Sequence, residues 1–216
     1  MKSYELFLDD VMMHAPGCTS ELALHALRQS AVEFCTRTNV VRAELDPVDT
    51  EAGVQDYDFE PGVQQSVHRV MAAWYKLRPL NAYAPDQIED AGVYRPGLLA
   101  DSGLGEPQLL YQRNDTSFSL YPVPEVSEVA AVTVHAAMKP TRTATHFADI
   151  LYNEWVEAIA DGALYRLHAS PSKPYTDMNA AAFRRARFER AVSDARIQVN
   201  SGRVRANLRV KQRPFV

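Results

Sequence analysis

Residues 129–138 read VAAVTVHAAM, Val129 to Met138, and set Ala130, Val132, Val134, Ala136 and Met138 on one side of an extended chain. A period of two marks a half-buried strand, because successive side chains of an extended backbone leave on opposite faces. Lys139 and Pro140 then end the run. This strand closes a stretch, Asp46 to Pro140, that holds nine of the chain's thirteen prolines and several short alternating segments. A region so rich in proline cannot sustain long helices, so it reads as strands.

Within that stretch, QLLYQRNDTSFSLYPVP (108–124) places Asn114, Asp115 and Thr116 between two β-prone runs, with Phe118 and Leu120 on one face of the second. Asn and Asp supply turn geometry through their own side chains, so this segment predicts a hairpin. VHRVMAAWY (67–75) and VQDYDFE (54–60) are further strand candidates. APDQIEDAG (84–92) is expected to form a single helical turn, and GVYRPGLLADSGLGEP (92–107) reads as a long loop.

Outside the proline-rich region the period changes to that of a helix. Leu24, Leu27, Ala31, Phe34 and Thr38, with Cys35 beside them, recur at steps of three and four and predict a helix over about 20–37, capped by Thr19 or Ser20. Arg28, Glu33 and Arg37 fall off that stripe and read as solvated. After TRTAT, the positions of Phe147, Ile150, Leu151, Trp155, Ile159, Ala163 and Leu167 predict a second helix over about 146–168, in which Gly162 signals close packing or a bend. Two prolines in ASPSKPYTD stop it, and Thr176 or Asp177 caps a third helix over about 178–199. Ala181, Phe188, Val192, Ala195 and Val199 mark its inner side.

The fold class expected from this order is α+β: an α-helical bundle with an inserted antiparallel β-rich domain and an extended C-terminal arm. Its parts are an N-terminal segment and first helix (1–45), the β-rich insertion (46–140), two long bundle helices (141–199) and a basic arm (200–216).

With 216 residues, 46% of them hydrophobic, the chain can bury a sizeable core. No segment approaches the roughly 18 consecutive apolar residues of a membrane span, and the reading is of a soluble protein made in the cytosol. Cys18 and Cys35 have no CxxC spacing and read as free buried thiols. The six histidines, at 14, 25, 68, 135, 146 and 168, include no pair three or four apart, so no helix offers a two-histidine metal site. SGLGEP (102–107) lacks the third glycine and following helix of a dinucleotide loop and reads as a flexible turn. The acid pairs Asp9 with Asp10 and Glu89 with Asp90 read as solvated surface. No catalytic, cofactor-binding or metal-binding residue is predicted.

Charge is the strongest functional signal. From Arg184 onward there are nine Arg and one Lys against Glu189 and Asp194, a net +8, which leaves −12 on the first 183 residues. Such a tail seeks an acidic partner. Val204, Leu208, Val210, Phe215 and Val216 interleave with its basic residues, and RVRANLRV (203–210) alternates well enough to add as a strand to another subunit's sheet. An arm that only gripped phosphates has no use for these apolar residues, so docking on protein is the favoured reading. Arg184, Arg187 and Arg190 of the last helix are candidate interface residues, and Trp74, Tyr75, Tyr94 and Tyr111 are candidates either for interface anchors or for the core.

The order of parts, with the patterns SELALHALRQSAVEFC (20–35) and EAIADGALYRLHASPSKPYTD (157–177), resembles the head-to-tail adaptor, or connector, proteins of tailed bacteriophages. The resemblance covers nearly the whole chain. It implies a viral structural protein of the virion neck, a dodecameric homo-oligomer ring under the portal protein that extends the channel for DNA ejection. It also implies tail or nozzle proteins as partners on the other side, and genomic DNA passing without sequence-specific binding. The portal-binding arm would use Arg203, Arg205, Leu208, Arg209, Val210, Lys211, Arg213 and Phe215. Two other classes stay open. A nucleic-acid-binding protein would read DNA with the Arg-rich last helix and tail, although no helix-turn-helix spacing precedes that helix. A virion hydrolase would need a carboxylate pair across a cleft, to which nothing in the sequence points.

Overall fold

The computed structural model describes residues 1–82 and 103–202. The helical turn predicted at 84–92, most of the 92–107 loop, Tyr94 and the arm beyond Gly202 lie outside these residues. The protein is a mixed α+β chain that divides into two compact units. The first comprises Met1–Tyr4 and Val41–Leu151; the second comprises Glu5–Val40 and the chain from Tyr152 onward.

The first unit is built of strands. In chain order these are β1 (Lys2–Ser3), β2 (Arg42–Glu44), β3 (Val48–Thr50), β4 (Asp56–Asp58), β5 (Gln65–Tyr75), β6 (Arg78–Ala82), β7 (Leu104–Gly105), β8 (Leu109–Gln112), β9 (Ser117–Tyr121), β10 (Val123–Pro124), β11 (Glu128–Pro140) and β12 (His146–Phe147). Eight of them form one sheet in the order β2-β11-β5-β6-β8-β9-β4, with β3 also on β11. The long strands β5 and β11 pair antiparallel from Val132↔Tyr75 to Pro140↔Gln65. The predicted hairpin is β8–β9, and Asn114 organises its turn: its side-chain oxygen accepts hydrogen bonds from the backbone N–H groups of Thr116 and Ser117, each at 2.8 Å.

Three details correct the strand reading. The insertion is not wholly antiparallel, since β6 and β8 run parallel through Asn81↔Leu109 and Ala82↔Leu110. The long connection from Ala82 to Leu109 gives the chain room to return in the same direction, which a tight turn forbids. Along β11 the even positions from Val132 to Met138 are buried as expected. Ala130 is instead exposed at φ 52°, and Ala131 and Ala137 are buried in addition. The register shifts after His135 and after Ala137 place their extra residues, Met71 and His68, on β5, so β11 keeps its facing while β5 bends. Lastly, Leu104 and Gly105 of SGLGEP pair with Val123 and Pro124 instead of forming a turn.

The second unit is helical: α1 (Leu8–Met12), α2 (Ser20–Thr38), α3 (Asp149–His168) and α4 (Met178–Ser201). The Thr19 side chain accepts from Leu22 N–H at the start of α2, and Asn39, at φ 53°, ends it in the left-handed region. Asp177 caps α4 by accepting from the N–H groups of Asn179 and Ala180. Leu27, Ala31 and Phe34 of α2 are buried, as are Ile159 and Ala163 of α3 and Phe188 of α4. Gly162 is a site of close packing. A Cβ there would meet two carbons of the Phe188 ring at 2.8 Å and collide with Ser30 Oγ. That hydroxyl in turn donates to the Ile159 carbonyl at 2.8 Å. The bend in α3 lies elsewhere, at Trp155, whose φ of −129° is not helical.

The helix predicted from His146 begins only at Asp149. His146 and Phe147 are strand β12, paired with Ser3 and Lys2 of β1, while Gln64 Oε1 accepts from the N–H groups of Thr145 and His146. These partners claim the amides that a first helical turn would have left open. Glu33 and Arg37 are likewise not simply solvated: both are half-buried in ion pairs. Cys18 and Cys35 are buried free thiols, and burial pushes Cys35 up to about 12 and Cys18 upward as well, so neither is a ready thiolate.

Candidate assembly surfaces

Helical spacing brings the charges of the second unit together. Glu157 and Asp161 stand four apart on α3, and Arg184 and Arg187 three apart on α4, so each pair shares a helix face. Arg184 Nη1 meets Asp161 Oδ1 at 2.7 Å, Arg187 Nε meets Asp161 Oδ2 at 2.8 Å, and Arg187 Nη2 meets Glu157 at 2.9 Å. The Asp161 side chain is only 5% exposed, so this carboxylate depends on both guanidiniums. A cavity of about 260 Å³ opens beside the cluster and is also lined by Asp10 and His14. Its acids and arginines largely neutralise one another, and no nucleophile is aligned there with a base. Among the described residues no group of three His, Cys, Asp or Glu could hold a metal ion.

A second cluster ties α2 to α4 and α3. Arg37 makes a two-pronged contact with Glu189, one arm at 2.8 Å, and also meets Glu33 at 3.0 Å. Glu33 further pairs with Arg166 and accepts from the Tyr165 hydroxyl. The hydrogen bond to Glu189 is the main cause that raises the Arg37 guanidinium above its ordinary value, and the same bond holds the Glu189 carboxyl below its own. Two of the three interface candidates on α4, Arg184 and Arg187, are thus engaged inside their own unit. Arg190 is exposed on a different face.

That outer face is what the sequence reading missed. Phe183, Arg190 and Ile197 recur at seven-residue spacing opposite the buried Ala181, Phe188, Val192 and Ala195, and Phe183 and Ile197 are 61% and 65% exposed. A seven-residue step returns nearly to the same side of a helix, so the spacing was available in the sequence. The arginines interspersed along α4 mask it, because they make the outer surface read as uniformly charged. The stripe leaves Phe183 and Ile197 facing outward among the described residues.

In the sheet unit, Tyr75 and Tyr111 are buried in the core, and Trp74 is half-buried with its ring 4.7 Å from that of His135. The outstanding exposed residue is Leu77, at 95%. It tips the β5–β6 hairpin beside a cavity of about 420 Å³ lined by Lys76, Arg78, Glu106 and Glu125, among others. Val126 and Val129, also exposed, belong to the neighbouring chain before and at the start of β11.

Among the described residues the geometry offers paired charges and outward apolar side chains. No helix among the described residues is long and apolar enough to cross a membrane. No curated protein matches the chain. The profile of the SU10 adaptor protein family, a family of phage head-tail adaptors, matches residues 6–211, nearly the whole sequence, and the chain belongs to that family.

Proposed function

We propose that this adaptor forms a ring of twelve copies beneath the portal, extends the DNA channel through the virion neck, and carries the tail-side proteins. Family membership makes the chain a phage structural protein and a virion component, with portal and tail proteins as its class of partner. In the finer reading, the helical unit is the bundle of the ring, the β-rich unit is its insertion facing the tail, and the basic arm clamps the portal. Arg203, Arg205, Arg209, Lys211 and Arg213 would meet acidic portal groups while Leu208, Val210 and Phe215 fill grooves.

The observation that carries this reading is the division of charge, +8 on the last 33 residues against −12 on the rest. An arm of that sign needs an acidic protein seat, and an acidic wall lets DNA slide because it repels phosphate. Support comes also from the end of α4: the helix stops at Ser201, and Gly202, at φ 67°, turns the chain out of it where the basic run begins.

The test mixes portal rings of the same phage with the full chain and with a chain ending at Asn200, and weighs the assemblies by native mass spectrometry. Twelve full-length copies should add to each portal ring, and the shortened chain should add none. Failure of both to bind, with salt-dependent retention of duplex DNA by the full chain, would replace the adaptor arm with a nucleic-acid-binding one.

A further inference from the structure

The sheet ends at β4, and this edge has a definite chemistry. Phe59 N–H donates to Thr116 O at 2.7 Å and Leu120 N–H to Gln55 O at 3.0 Å, so the odd residues 55, 57 and 59 face β9. The alternation of an antiparallel ladder then aims the backbone groups of Asp56, Asp58 and Glu60 away from the sheet. Among the described residues no strand lies beyond β4. The side chains alternate in step: Tyr57 and Phe59 are buried against Phe118, while Asp56, Asp58 and Glu60 are exposed. Among the described residues the edge is therefore an open row of backbone donors and acceptors with aromatic residues on one face and carboxylates on the other.

One segment of the chain carries the complementary pattern. From 203 to 211 the odd positions are Arg203, Arg205, Asn207, Arg209 and Lys211, and the even positions are Val204, Ala206, Leu208 and Val210. Laid beside β4, such a strand puts its cations next to Asp58 and Glu60, and next to Asp56, which already pairs with Arg113, and its aliphatic residues in line with Tyr57 and Phe59. Two β4 edges cannot pair with each other, because like charges directly opposite across strands repel. The far side of the sheet does not offer the same fit, since β2 alternates a cation, Arg42, with an anion, Glu44. We infer that residues 203–211 of one copy add as a strand to the β4 edge of a second copy, extending its sheet and joining free adaptor molecules before a portal takes the arm.

Strand addition of this kind draws affinity from backbone hydrogen bonds and specificity from the alternating side chains. The inference stands apart from portal docking: it gives the arm a seat in the free protein, and the two seats would exchange when a portal is present.

Charge exchange tests it on full-length chains. One variant carries Asp58→Lys with Glu60→Lys; the other carries Arg203→Glu, Arg205→Glu and Arg209→Glu. Sedimentation velocity should show the natural chain self-associating, more weakly as salt rises. Each variant alone should lose association by about tenfold or more in dissociation constant, equivalent to about 1.4 kcal/mol. An equimolar mixture should regain it, because each basic strand then finds an acidic edge. In the natural chain, hydrogen exchange of residues 55–60 and 203–211 should slow together as concentration rises. The inference is overturned if the natural chain stays monomeric, if either variant associates like the natural chain, or if mixing restores nothing. Association without slowed exchange in both segments overturns it too.

Discussion

The two units treat charge in opposite ways. In the helical unit, Asp161 is nearly buried between Arg184 and Arg187, and Glu33, Arg37, Arg166 and Glu189 link three helices. In the sheet unit the pairs lie outside: Arg78 with Glu106, Arg113 with Asp56, and His135 with Glu44 all leave both partners substantially exposed. A pair in water gains little from its partner, whereas a buried carboxylate stripped of its partners, or the reverse, is left without solvent or counter-charge. The helical unit thus uses charge to fix its own packing. The sheet unit keeps its charge outward, available to partners.

The sharpest way to break this contrast is Asp161→Ala. It leaves the mostly buried Arg184 without its carboxylate, while Arg187 keeps Glu157, and should cost about 3–5 kcal/mol. Chemical denaturation followed by circular dichroism measures it. The matching change in the sheet unit, Glu106→Ala, should cost less than about 1 kcal/mol. Equal costs would remove the distinction between the units.

Next in size is Gly162→Ala. The new methyl would press on the Phe188 ring and on Ser30 Oγ, in a core where α2, α3 and α4 have no slack, and overpacking of this kind costs about 1–3 kcal/mol. Loss of stability in the helical unit, read by slower-exchange amides becoming fast there, is the expected result.

These two neighbours also show what could be read from the sequence. Gly162 stood out within a helical pattern, and the structure resolves its alternatives in favour of close packing, with the bend at Trp155. Asp161 did not stand out, because its role depends on Arg184 and Arg187, more than twenty residues away, and an acid on a helix looks the same in a sequence whether paired or solvated. Glu33 and Arg37 were misread for the same reason: Arg166 and Glu189 lie more than 130 residues from them. Local signals did well where the cause is local. Thr19 and Asp177 cap their helices, and Asn114 makes the β8–β9 turn. They did worse where a distant strand decides, as at His146–Phe147, which Lys2–Ser3 draws into a ladder. The outer stripe of Phe183, Arg190 and Ile197 was legible from spacing alone, and the charge division was legible from composition.

A gain is expected at the tip of the β5–β6 hairpin. Lys76 and Leu77 have φ of 47° and 67°, the left-handed conformations of a two-residue turn that favours Asn-Gly. A leucine held there has a steric penalty that glycine avoids, so Leu77→Gly, which keeps the Lys76 ion pair with Glu128, should stabilise the sheet unit by about 1 kcal/mol. If Leu77 is kept for a tail-side contact, the same variant should bind tail proteins less well although it is more stable. A variant that gains stability and loses nothing in assembly would show the tip to be idle surface.

The smallest effect concerns pH and separates the exposed rim of the helical unit from its buried centre. Arg37 holds the Glu189 carboxyl below its ordinary value of 4.5, chiefly through their hydrogen bond. A carboxyl lowered on folding adds stability that is complete above its unfolded value and is lost as pH falls through the lower, folded value. The window therefore lies below about pH 4.5. Glu189 is 45% exposed, so solvent screening keeps the contribution under about 1 kcal/mol. Arg37→Ala should flatten the acid side of the stability curve by that amount while leaving Asp161 and its arginines in place. If the curve kept its slope without Arg37, the acid sensitivity would belong to other carboxylates, and the Arg37–Glu189 pair would be no stronger than those on the sheet unit.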